Sequence, residues 1–378
     1  MNTRLAVLAL ATAALAACEP NPSVTGPAAA LQAARDADIS AALSDPGAVY
    51  TLTNQVGGNA VAVFARGADG RLTAAGTVST GGTGTGASLG SQSAVTLSDD
   101  GRWLFAVNAG SNDVSVFSVS PVGLALASRT ASGGTLPISL TVHGNALYVL
   151  NAGGTGNISG FAVGTSGALT AIAGATLPLS GSSVGPAQVS FSPDGRRLVV
   201  TEKNTNQLDL YAVDANGVAT GPTTTASAGG TPFGFSFGHR NELFVSEAAG
   251  SASSYELDAT GGVSLVSGAV LTHQGAPCWA VVTTDGRIGF TGNGAGSVSA
   301  FTIAPDGAIG LVDANGGTAL IGAGINDIAL SHNSRYLYVL QTGGAQAIHA
   351  FRVEADGHLT PLGAIAGLPN GTRGLTAF

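Results

Sequence analysis

From residue 48 onward the chain alternates short apolar runs with turn residues, and no stretch sustains a helical period. Seven of these runs end on a polar residue: YTLTN (50–54), LFAVN (104–108), LYVLN (147–151), LVVTE (198–202), LFVSE (243–247), GFTGN (289–293) and LYVLQ (337–341). Each reads as a strand, and before most of them lies another short strand closed by a turn, as in VSFSPDG, AVTLSDDG and DIALSHN. Downstream of each run an aromatic residue is followed six positions later by glycine: Phe64/Gly70, Phe117/Gly123, Phe161/Gly167, Tyr211/Gly217, Tyr255/Gly261, Phe301/Gly307 and Phe351/Gly357. The first and last aromatics are 287 residues apart over six intervals, a mean near 48. Four short strands in each period of that length predict an all-β, seven-bladed β-propeller over residues 48–378.

The ends of the repeat predict how the ring shuts. VYTLTN lacks the strand that precedes it in the other repeats, and GLTAF (374–378) lacks the strands that should follow. Pairing the C-terminal strand with the N-terminal blade would complete one sheet and remove two exposed edges.

The phrases SPDGRRLVV, LYVLN and VSVFSV (114–119) resemble the repeats of the lactonase-type seven-bladed propellers, which overlap those called YVTN. The resemblance covers residues 48–378 and implies a family of 6-phosphogluconolactonase-like and carboxymuconate-cyclase-like enzymes, together with members of unknown role. Fold alone does not transfer their activity. Active members are associated with a histidine-x-histidine pair ahead of the SPDG strand and an acid-led D-L-G-x-D-R after it. Here the pair falls on Gly185 and Ala187, the arginine on Gln207, and the two acids on Glu202 and Asn206.

The first residues change the picture of where the ring works. Arg4, the apolar run Leu5–Ala14 and the sequence Leu15-Ala16-Ala17-Cys18 read as a signal peptide over residues 1–17. Its end resembles a lipobox, which implies lipidation of Cys18, a tether over residues 18–47 and an exported protein held in the bacterial cell envelope. Glu19 instead of aspartate after that cysteine resembles the outer-membrane sorting signal, with the ring facing the periplasm. Cys278 is then the one remaining thiol, so no intrachain disulfide is available. Without Arg4 the chain carries 13 basic and 22 acidic side chains, which argues against nucleic acid.

Strand parity sorts residues between the two rims of such a ring. Asp100, Asp194 and Asp285 begin Asp-Gly-Arg turns after first strands, where glycine takes a positive φ in a tight hairpin. His143, His239, His332 and His358 fall on that same rim and His349 lies within a third strand. The opposite rim is expected to gather Glu202, Glu247 and His273 as candidate bases, with Arg373, Asp327, Asn326, Trp279, Gln188 and Phe233 as the substrate-binding set beside Lys203. A carboxylate or imidazole there could act on water or on a carbon acid, and Arg373 could hold a carboxylate or an oxyanion.

Two functions follow from these residues. One is a lipid-anchored propeller, expected to be monomeric, that binds a small anionic ligand or an envelope protein at the channel mouth. The other is a lactonase or cyclase acting on a small anionic lactone. Six scattered histidines and one mature cysteine form no zinc spacing, and no cofactor motif stands out. Two G-x-S-x-G matches, around Ser88 and Ser183, are expected by chance in a chain with 57 glycines, and neither precedes a predicted helix.

Overall fold

The computed structural model describes residues 47–238, 240–258 and 261–378. The signal segment, Cys18 and most of the tether therefore lie outside the described residues, as does His239. Among those described there is no helix, and strands gather into seven antiparallel sheets. Blade 4 shows the plan: Pro186–Phe191, Arg197–Glu202, Gln207–Val213 and Ala219–Ala226 pair in that order from the axis outward. Blade 6 departs from it, because its outermost strand is broken into Ile309–Leu311 and Ala319–Leu320.

Blade 1 is completed from the far end of the chain. Arg373–Ala377 pairs with Gly47–Leu52 in the register Val49↔Ala377, Tyr50↔Thr376 and Thr51↔Leu375. Thr51 Oγ1 donates to the Gly374 carbonyl at 2.6 Å, Phe378 N donates to the Ala48 carbonyl at 2.9 Å, and Leu375 is buried. This is the expected closure, and it leaves no open end in the ring.

The aromatic–glycine repeat has a packing cause. All seven aromatics are buried between sheets. The glycine six residues on lies in the turn to the fourth strand with φ +80° at both Gly70 and Gly167. A Cβ on Gly70 would run into the Tyr336 ring of blade 7, and one on Gly167 would lie 2.6 Å from Trp103 of blade 2. The residue therefore supplies both the left-handed backbone and the close approach between neighbouring blades.

First strands of neighbouring blades belong to separate sheets, so the backbone groups on their inner edge need other partners. Side chains provide several of them. Ser139 and Thr141 of blade 3 accept from Val189 N and Phe191 N of blade 4, at 3.2 and 3.0 Å. Gln188 of blade 4 accepts from Phe235 N and donates to Phe235 O of blade 5, at 2.7 and 3.1 Å.

Candidate functional site

The two rims are sorted by strand parity. Asp194 lies in the turn after Pro186–Phe191, whereas Arg373 begins its first strand, at the other end of the ring. Asp194 is bound into its own turn: it accepts from Ser192 Oγ at 2.6 Å and from Arg196 N at 3.0 Å. Asp100 and Asp285 repeat this geometry with Ser98 and Thr283. Grooves between blades open on this rim, one of about 520 Å³ beside Asp194 and another of about 790 Å³ beside Asp285.

On the other rim, three of the polar residues that end the second strands turn sideways into their own blades. Asn108 donates to Asp113 and Ser115, Asn151 to Asn157, and Asn293 to Ser297 and Ser299. Glu202 and Glu247 occupy the same position and are wholly buried. Glu202 accepts from Ser180 Oγ at 2.5 Å, Ser180 N at 3.1 Å and Thr205 Oγ1 at 2.7 Å. Glu247 accepts from Ser251 Oγ, Ser253 Oγ, Gly229 N and Ser227 Oγ at 2.5 to 3.0 Å. In this conformation neither carboxylate offers an oxygen to the channel. Asp209, beside Glu202, shares the Ser180 N–H at 3.0 Å. Burial, and then the neighbouring Glu202, push its carboxyl well above the usual range.

Asp327 and Gln188 act as links between blades. Asp327 is fully buried and accepts from its own Ile328 N at 2.9 Å and from Leu375 N of the closing strand at 3.0 Å. Burial raises its pKa well above the ordinary value.

Arg373, by contrast, is a half-buried guanidinium on the rim. Its Nη1 donates to Thr342 Oγ1 at 2.9 Å and to the Thr372 carbonyl at 2.6 Å, and its Nε has no partner. Asn326 holds the same Thr342 hydroxyl at 2.6 Å. Among the described residues no carboxylate lies within ion-pair distance of Arg373. Burial lowers its pKa, yet an arginine stays charged at any ordinary pH. His273, exposed in the loop before Pro277–Val282 with φ +55°, forms no hydrogen bond to Arg373, Glu202 or Glu247. The expected cluster is thus divided: Arg373 and Asn326 meet at Thr342, while the two glutamates are separately enclosed.

The element that sequence reasoning missed is a plug. Residues 80–94 connect blades 1 and 2 with 15 residues, where the other connections between blades have four to seven. That length was the available signal, since long loops in a compact fold tend to carry function. Asn54 anchors its start, donating to the Ala87 and Gly371 carbonyls at 2.9 and 3.1 Å. From there it crosses the axis. Gln92, ahead of blade 2, donates to the Ala280 carbonyl of blade 6 at 2.7 Å and accepts from Ala280 N at 2.9 Å. Trp279 Nε1 donates to the Ser91 carbonyl at 3.0 Å, and Ser91 Oγ to the Ile138 carbonyl of blade 3 at 2.8 Å.

Lys203, the only lysine, donates to the Gly90 and Pro186 carbonyls at 2.6 and 3.0 Å. Its ammonium lies 5.0 Å from the centre of the Phe233 ring, which meets Trp279 edge-on at 5.5 Å. Burial lowers the Lys203 pKa to about 8, and burial pushes the neighbouring Cys278 thiol up to about 12. Cys278 is therefore a protonated, packed thiol and a poor nucleophile. Ser88, on the same loop, is exposed, accepts from Gly90 N at 3.2 Å and precedes no helix.

Residues 49–184 match the family model described as lactonase, 7-bladed beta-propeller. No curated protein sequence matches the chain. Among solved structures it is similar to the periplasmic gluconolactonase of Pseudomonas aeruginosa, with 18% identity, a TM-score of 0.69, and 88% of this chain covering 99% of that one. It is likewise similar to a protein from Lactobacillus plantarum, with 17% identity, a TM-score of 0.71, and 88% covering 99%. At such identities the likeness speaks for the fold.

Proposed function

Since the chain is a lactonase-type seven-bladed β-propeller, we propose that it works in the cell envelope as a binding propeller that holds a small anionic ligand at its channel mouth. Arg373 is the anion holder, and Asn326 and Thr342 fix its guanidinium. The observation that carries this reading is a half-buried guanidinium, held by Thr342, with no carboxylate within ion-pair distance among the described residues, on a chain of net charge −8. A guanidinium so placed favours a carboxylate or phosphate oxygen. Anchoring through Cys18, and an outer-membrane position, rest on the sequence of residues 1–19.

Binding is favoured over ring-opening because Glu202 and Glu247 are enclosed by hydrogen bonds and the axis is filled by residues 90–92. The lactonase reading draws on the family match and on exposed His273 as base, with Arg373 orienting the substrate carboxylate. One panel separates the two. Full-length protein, its Arg373→Ala variant and its His273→Ala variant are given carboxylates and anionic lactones, with thermal shift and product formation followed together. Stabilisation lost in Arg373→Ala without product supports binding. Turnover that disappears in His273→Ala would establish the enzyme instead.

A further inference from the structure

Three hydrogen-bond donors converge on the plug from the wall of the channel: the Lys203 ammonium, the Trp279 indole N–H and the Ala280 backbone N–H. Each meets one oxygen of the plug, respectively the Gly90 carbonyl, the Ser91 carbonyl and the Gln92 side-chain amide. The Ala280 carbonyl adds an acceptor, filled by the Gln92 amide N–H. All of these occupants are neutral. The ammonium they surround has no counter-charge among the described residues, although it is desolvated enough for its pKa to fall to about 8. A buried cation facing only dipoles is held less well than one facing an anion.

We propose that Lys203, Trp279 and Ala280 form a latent binding site for a small hydroxy-carboxylate, occupied in cis by residues 90–92 and exposed when that segment lifts. A carboxylate takes the place of the Gly90 and Ser91 carbonyls and supplies the missing charge. A hydroxyl takes the place of the Gln92 amide, accepting from Ala280 N and donating to Ala280 O. The plug then sets affinity through competition: a site open in a fraction of molecules binds with its intrinsic affinity reduced by that fraction. This deepens the channel-mouth reading, but it uses a cation other than Arg373.

The test uses full-length protein in a Trp103→Phe background, so that Trp279 is the one remaining tryptophan. L-Tartrate is the probe, succinate the comparator without hydroxyls, and Trp279 fluorescence with acrylamide quenching the readout. Gln92→Ala, which removes both side-chain bonds to Ala280, is expected to bind tartrate at least about tenfold tighter than its parent. Adding Lys203→Met should abolish that gain, whereas adding Arg373→Ala should leave it intact, which separates this site from the rim. Equal affinity in parent and Gln92→Ala, with circular dichroism unchanged, overturns the proposal, as does a gain that survives Lys203→Met. Should Gln92→Ala fail to fold, the parent decides: tartrate must raise acrylamide access to Trp279 more than succinate does, and no rise at the highest soluble concentration counts against the site.

Discussion

Deleting residues 373–378 tests how the ring is held shut. The truncation exposes the edge of Gly47–Leu52 and removes Leu375, a buried side chain worth about 1.5–3 kcal/mol. It strips Asp327 and Thr51 of their partners on the closing strand, at about 1–3 kcal/mol for each buried group left unsatisfied. The lost ladder bonds add about 0.5–1.5 kcal/mol apiece. Together these reach roughly 6 kcal/mol or more, comparable with the whole stability of an ordinary domain at about 5–15 kcal/mol. The truncated chain is therefore expected to show no cooperative thermal transition by circular dichroism. A circular permutant that carries residues 372–378, followed by an Asp-Gly turn, directly before Gly47 restores the strand order of the other blades and should melt within a few degrees of the parent. A truncated protein that melts cooperatively at the parental temperature would refute the reasoning.

Asp209→Asn should flatten the pH dependence of stability. Because the folded chain keeps a proton on Asp209 that the unfolded chain releases near the ordinary carboxyl range, stability falls as pH rises from there through the elevated folded value, and each unit of the shift is worth about 1.4 kcal/mol. Denaturant titrations from pH 5 to pH 9 would show a decline in the parent and little in the variant; parallel declines would remove the buried-proton account. Glu247→Gln breaks the match to four donors and should lower stability by about 1–3 kcal/mol at pH 7, read from the urea midpoint. Gly70→Ala meets both a positive φ and the Tyr336 ring, so a drop in Tm of several degrees is expected, and an unchanged Tm would contradict the packing given for the repeat. Cys18→Ala should end palmitate incorporation in the bacterial host, and retained label would remove the lipid anchor.

The ring was legible because each blade must repeat the same solution. An aromatic between sheets and a glycine against the neighbouring blade recur at fixed phase, and the missing strands at the two ends pointed to the closure. Rim parity was legible too, since Asp194 and Arg373 lie at opposite ends of first strands. Side-chain direction was not. Glu202 and Glu247 end their strands at the mouth, but the hydroxyls that turn them sideways come from the third strand, the turn before it and the connection from the preceding blade, so their contacts depend on register and loop path. The plug was hidden for a related reason. Gln92 pairs with Ala280 across 188 residues of sequence, and no local pattern encodes a partner on the far side of a ring. Only the length of the connection between blades 1 and 2 hinted at it.

The binding account is tested most directly by calorimetric titration of succinate, which lacks the hydroxyl the plugged site would take, into the full-length protein and its Arg373→Ala variant at low and moderate salt. Saturable binding in the parent, weaker at moderate salt and lost in the variant, is the predicted result. Equal binding by the two proteins would contradict it.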